Sequence, residues 1–173
     1  MRKSNVVEIL ARRLGATPSR IDAIAQRLAD AGKLSRASGS RRYPPDLAEP
    51  EIVALFIAVI ADNGLGSVRE TVEQFAGMTN EKGQRLDLTL TTLLFGPPRE
   101  FQHLIARQSP AGLSMVFQRN HQQFGSAPTE YGATAARIVT GNALMSIAAE
   151  LQGATPEQAD ALTAMSRLQS AFN

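Results

Sequence analysis

Basic side chains are concentrated at the start of the chain, where they could bind the phosphate groups of a nucleic acid. Residues 1–43 contain ten Lys and Arg against three Asp and Glu, a local net charge of +7. Residues 44–173 contain eight against thirteen, a net charge of −5. A solvated surface usually mixes the two signs, so this excess of cations is typical of a phosphate-binding segment.

Within the basic region, one predicted helix carries side chains suited to reading DNA. Arg20, Ala23 and Arg27 are spaced i, i+3, i+7, which places them on one helix face. Arginine can bind guanine or phosphate, and a small alanine lets the helix approach a base edge closely. The residues predicted to contact DNA lie on this face, at the helix start or in the basic stretch that follows: Thr17, Ser19, Arg20, Ala23, Arg27, Arg36, Arg41 and Arg42.

The helix that must position these side chains has start and stop signals in the sequence. Thr17-Pro18 predicts the start, because Thr can accept from a free backbone N–H and Pro suits the first helical position. Gly32 predicts the end. The other face is apolar and is predicted to be buried, through Ile21, Ile24, Ala25 and Leu28.

A second apolar stripe, Val6, Leu10 and Leu14, predicts a preceding helix that is capped by Asn5 with Glu8. The turn Gly15-Ala16 between the two helices has the length that a helix-turn-helix requires. After Gly32, the segments 34–36 and 41–43 could pair across a polar loop as a small hairpin, or wing.

This stretch resembles the winged helix-turn-helix of MerR-like proteins. LARRLGATPSRI stands where that family has its helix-turn-helix, AGKLSRASGSRRYPPDL where it has a Gly-Leu turn and an Arg-Tyr wing, and Glu51–Phe75 where it has two further helices. The resemblance covers about residues 5–77, and the small DNA-binding domains of phage terminase subunits and excisionases are similar in the same way. It implies a recognition helix in the major groove and a wing on phosphate or in the minor groove.

The chain departs from the MerR-like pattern in two respects. The aromatic pair that the family has before the wing is replaced by Arg27-Leu28 and Ala29, and the cysteine effector ligands and long dimerising helix of the family are absent. The resemblance therefore implies a DNA-binding module, without the metal or drug response of the family's activators.

No cluster of residues predicts an enzyme. There is no cysteine, and the only histidines, His103 and His121, lie outside any metal-binding spacing, so we expect both at the surface. Gly64-Leu65-Gly66 precedes a helix but lacks the strand and third glycine of a nucleotide loop. We predict no cofactor and no metal.

The longest apolar run, residues 52–61, is about half a membrane span, so a cytoplasmic protein without membrane contact is expected.

The remainder of the chain predicts an α+β protein that is mainly helical. Helices are expected from Pro50 to about Asn63, after a Ser67–Glu70 capping box, and at 87–95, where a strand is the alternative. A polar stretch at 78–84 separates a DNA-binding domain, 1–77, from a second domain, 85–173.

The second domain is predicted to combine helices with a small antiparallel sheet. A short helix is expected over Arg99–Arg107, and two or three strands at 113–117, around 123–124 and at 133–140. Asn142 is expected to cap the next helix, and Thr155 with Gln158 the last one. That last helix has a narrow apolar seam, which suits either an oligomer contact or docking on its own domain: Ala159, Leu162, Met165 and Leu168.

Three functions fit these patterns. The first is a sequence-specific transcription regulator of prophage type that binds double-stranded DNA. The second is a small terminase subunit that marks viral DNA for packaging, and the third is a protein–protein adaptor whose basic helix binds an acidic partner. A unit this small would bind DNA weakly alone, so a homo-oligomer, either a dimer or a ring, is expected.

Overall fold

The computed structural model describes residues 1–35, 45–99, 101–118, 120–128 and 133–171, without the side chains at 167 and 169–171. The predicted mixture of many helices with a small antiparallel sheet is confirmed. In chain order the elements are α1 Lys3–Leu14, α2 Pro18–Asp30, α3 Glu49–Ile60, a 3-10 turn Leu65–Ser67, α4 Val68–Ala76, α5 Leu86–Phe95, β1 His103–Gln108, β2 Ala111–Val116, β3 His121–Gly125, β4 Ala136–Thr140, α6 Gly141–Leu151 and α7 Pro156–Ala171.

Helix α3 lies at the centre of the helical part because nearly every side chain after its first turn is apolar. Eight of its residues between Ile52 and Ile60 are buried. It packs against α1, α2, α4 and α5. Exposing any side of such a helix would leave apolar side chains in water, so neighbouring helices cover it.

The four strands form one antiparallel sheet in the order β3-β2-β1-β4. In β1, Leu104 lies opposite Met115 of β2 and Val139 of β4, and all three are buried. Side chains alternate between the two faces of a strand, so this register directs one row of each strand into the core.

The helix predicted over Arg99–Arg107 is wrong: the structure has strand β1 there. The apolar positions 101, 104 and 105 fit a helical spacing by chance. In the fold, β1 lies between β2 and β4 and pairs with both, and strand pairing outweighs such a weak local preference. The sheet consequently has four strands rather than two or three.

The predicted helix caps had mixed outcomes. Helix α1 begins at Lys3, so Asn5 does not cap it, and Ser67 donates to the carbonyls of residues 63 and 64 instead of forming a capping box. Thr140, not Asn142, caps α6. The reciprocal cap of α7 is confirmed, since Thr155 N–H donates to Gln158 Oε1 and Gln158 N–H to Thr155 Oγ1.

Buried side chains from both sides of the 78–84 stretch belong to one hydrophobic cluster. Helix α1 contacts α6, and α3 contacts α5, so the core runs across the predicted domain boundary. None of the helices in the described part of the chain has the length and hydrophobicity needed to span a bilayer.

Candidate nucleic-acid interface

Helix α2 is fixed in the protein by its apolar side and by its first turn. Its four predicted core residues are buried: Ile21, Ile24, Ala25 and Leu28. Thr17 Oγ1 accepts from the backbone N–H of Arg20 at 3.3 Å, as the sequence predicted. The helix therefore has a defined orientation, and its N-terminal residues Thr17, Pro18 and Ser19 are exposed.

The opposite side of α2 remains accessible. Ser19 and Arg27 are exposed and Ala23 is half-buried, so these three predicted side chains share an open face. Arg27 forms no ion pair with any residue that the structure describes. Within the described part of the chain, nothing therefore prevents its guanidinium from binding an anion.

Arg20, in contrast, is engaged by the protein itself. Its guanidinium donates two hydrogen bonds to the Asp62 carboxylate, at 2.9 and 2.7 Å. These bonds are the main cause of a pKa for Asp62 below its ordinary value. Asp62 follows α3, so the pair joins the start of α2 to the loop between α3 and α4.

Most other cations of residues 1–35 also have acidic partners. Lys3 Nζ lies 3.0 Å from Asp22, and Lys33 Nζ lies 3.0 Å from Glu73. Glu150 of α6 binds both Arg12 and Arg13, with 2.6 Å from its Oε1 to Arg13 Nε. The excess charge of residues 1–43 is thus partly neutralised by carboxylates from elsewhere in the chain.

The predicted wing residues Arg36, Arg41 and Arg42 lie outside the described residues. The chain on either side of them is anchored. Leu34 and Leu47 are buried, and the Glu51 carboxylate accepts from both the N–H and the hydroxyl of Ser35. Burial disfavours the charge on Glu51, but hydrogen bonds from Ser35 and Ala48 outweigh it, so the pKa of Glu51 is lowered.

Residue Leu47 is also tied to the first residue of the chain. Its N–H donates to the Met1 carbonyl at 2.7 Å, and the Met1 amino group donates to the Leu47 carbonyl at 3.1 Å. The described residues on either side of the basic segment 36–44 are therefore held in place, Ser35 by α3 and Leu47 by the residue before α1.

Elsewhere, the described residues contain no group of three or more His, Asp or Glu that could hold a metal ion. His103 and His121 are both exposed, at the start of β1 and of β3, in agreement with the predicted surface positions.

Comparisons of the chain with models of protein families, with curated proteins and with solved structures gave no match.

Proposed function

We propose that the protein binds double-stranded DNA through the outward face of α2. One observation carries the proposal: Arg27 is exposed without an acidic partner among the described residues, on the same open face as Ser19 and Ala23. The buried face of the helix supports the proposal further, because a reading helix must be held rigidly by the domain that presents it.

In the proposed complex, α2 enters the major groove. Ser19, Ala23 and Arg27 approach base edges, and the exposed Thr17 at the start of the helix faces a phosphate. Arg36, Arg41 and Arg42 bind the DNA backbone or the minor groove, which gives affinity without sequence information. Arg20 takes a different role from the one expected from the sequence alone, because its pair with Asp62 orients α2.

The test compares single alanine substitutions by fluorescence anisotropy on DNA selected from a random duplex library. Arg27→Ala should cost about 1–3 kcal/mol on the selected site and little on random DNA. Arg41→Ala should weaken binding to both and reduce the salt slope by about one. Arg69→Ala, an exposed arginine of α4, is the control and should bind as the wild type does.

Two results would contradict this proposal. Absence of binding to any duplex at low salt, about 50 mM, would exclude DNA as the partner, because phosphate contacts are strongest there. Equal losses for Arg27→Ala and Arg41→Ala on selected and random DNA would remove the distinction between base reading and backbone contact.

The same DNA contact serves either a prophage-type transcription regulator or a small terminase subunit. A regulator is expected to form a dimer on paired half-sites, and a packaging subunit a ring of roughly eight or more chains. Mass measurement in solution, with and without the selected DNA, separates the two.

The internal ion pairs favour a second candidate, a protein–protein adaptor. Lys3, Arg12, Arg13, Arg20 and Lys33 are all paired with carboxylates of the chain, which lowers the positive potential available to DNA. An acidic protein bound to Arg27 and the 36–42 segment would require fewer free cations than a duplex. Failure to bind DNA, together with loss of that partner in Arg27→Ala, would establish the adaptor.

A further inference from the structure

Helices α5, α6 and α7 line an open cavity of about 580 Å³. This volume lies in the range of small-molecule sites, roughly 300–1,000 Å³. Its wall is predominantly apolar, and its largest apolar members are Leu93, Phe101, Leu144, Met145, Leu162 and Met165. Leu162 and Met165 belong to the narrow seam of α7 and remain more than half exposed.

A second cavity of about 200 Å³ lies between α5 and the sheet. Polar side chains line much of it: Gln84, Thr89, Thr92 and Gln122. The side-chain carbonyl oxygen of Gln122 is buried and has no hydrogen-bond partner among the described residues. A buried acceptor left unmatched is costly, so turning the Gln122 side chain toward a donor bound in the cavity would be favourable.

The two cavities share part of their walls. Leu93 and Arg99 line both. Phe101 of the first cavity and Phe117 of the second are in edge-to-face contact, with 5.2 Å between ring centroids. Arg99 is exposed at this junction and forms no ion pair within the described part of the chain. An unpaired cation therefore lies where the apolar and polar cavities meet.

We propose that the two cavities form one binding site for a small anionic amphiphile. Its apolar chain occupies the larger cavity, its carboxylate binds the guanidinium of Arg99, and an adjacent N–H or O–H donates to the Gln122 oxygen. Such a head group offers an anion to the unpartnered Arg99 and a donor to the buried Gln122 oxygen. The site lies in the second half of the chain, and its occupation does not depend on DNA binding by α2.

N-octanoylglycine is a suitable probe, because it combines an eight-carbon chain, an amide N–H and a carboxylate. Its methyl ester lacks the charge, and its N-methyl derivative lacks the donor. Isothermal titration calorimetry of the full chain with each probe should give one site per chain. We expect the ester to bind about five- to tenfold more weakly than the acid, and the N-methyl acid about fivefold more weakly.

Two variants assign these differences to residues. Arg99→Gln should bind the acid about five- to tenfold more weakly and the ester unchanged, so that the preference for the acid disappears. Gln122→Leu should remove the preference for the N–H over the N-methyl compound. Arg69→Gln, which removes an exposed arginine of α4 that pairs with Glu73 at 3.2 Å, should retain all the wild-type affinities.

Three results would overturn the proposal. They are no saturable binding of N-octanoylglycine, equal affinities of the wild type for acid and ester, and an acid preference that survives in Arg99→Gln. Arg99 is exposed and has no internal partner among the described residues, so its substitution should leave the fold intact, and circular dichroism of each variant would verify this.

Discussion

At the level of single residues, the pair between Arg20 and Asp62 changes the interpretation of the helix. An arginine on the outward face of α2 would be expected to meet DNA, yet Asp62 binds it through two hydrogen bonds. If Arg20 left Asp62 to bind DNA, the unpaired Asp62 carboxylate would lie beside the negatively charged DNA phosphates. The arginine is therefore better suited to positioning α2, and Arg27 to recognition.

The Arg20–Asp62 pair predicts a dependence of stability on pH. Hydrogen bonding to Arg20 lowers the pKa of Asp62 below its ordinary value of 3.8, so the pair stabilises the fold fully above that value. Its contribution is lost as the pH falls through the lowered pKa. In urea unfolding, wild type should be more stable than Asp62→Asn at pH 7, and the difference should vanish in strong acid.

The control for that experiment is Asp46→Asn, because Asp46 is largely exposed and its one ion pair among the described residues is with the terminal amino group, at 3.6 Å. This variant should follow the wild type closely across the same pH range. A stability difference between wild type and Asp62→Asn that stays constant down to strong acid would contradict an ionised pair.

At the level of elements, the junction between β4 and α6 depends on a glycine. Gly141 begins α6, is buried, and its N–H donates to the Gln102 carbonyl at 2.6 Å. A Cβ at this position would overlap the backbone carbonyl of Phe101. The strand β4 and the start of α6 can therefore lie against the chain before β1 only because this residue has no side chain.

Gly141→Ala should consequently lower the free energy of unfolding by about 1–3 kcal/mol, the usual cost of forcing extra atoms into a packed site. Thermal unfolding followed by circular dichroism measures the loss. Gly66→Ala is the matched control, because a Cβ there has no neighbour within 4 Å. Equal melting temperatures for the two variants would show that the backbone near Phe101 can move far enough to accommodate the added Cβ atom.

At the level of the whole molecule, Glu150 connects the two ends of the sequence. Its side chain is only 3% exposed, and it binds Arg12 and Arg13 of α1 from α6. Arg13 also binds Asp160 of α7 at 2.5 Å. These pairs connect the first helix to the last two, with α1 packed on α6 and α7 packed on α6 in turn.

Glu150→Gln should destabilise the protein by about 2 kcal/mol, because it removes the buried negative charge that two arginines share. Urea unfolding at neutral pH gives the value. Glu81→Gln, a substitution of an exposed carboxylate, should change little. If both variants unfolded at the same urea concentration, the buried carboxylate would contribute nothing net to holding α1 on α6.

Local sequence patterns determined much of the helical structure. Thr17-Pro18 and Thr155-Pro156 fix helix starts, and the 3.6-residue spacing of Ile21, Ile24 and Leu28 identifies the buried face of α2, because each signal acts within a few residues. The open face with Ser19, Ala23 and Arg27 follows from the same periodicity.

Only the tertiary structure decided the identity of β1 and the electrostatics of the candidate interface. Strand β1 exists because β2 and β4 pair with it from either side, and neither pairing can be deduced from the residues of β1 alone. Glu150, which binds Arg13, lies 137 residues further along the chain, and Asp62, which binds Arg20, lies 42 residues further. A count of charges along the sequence does not show such partners, because folding sets the distances between charged groups.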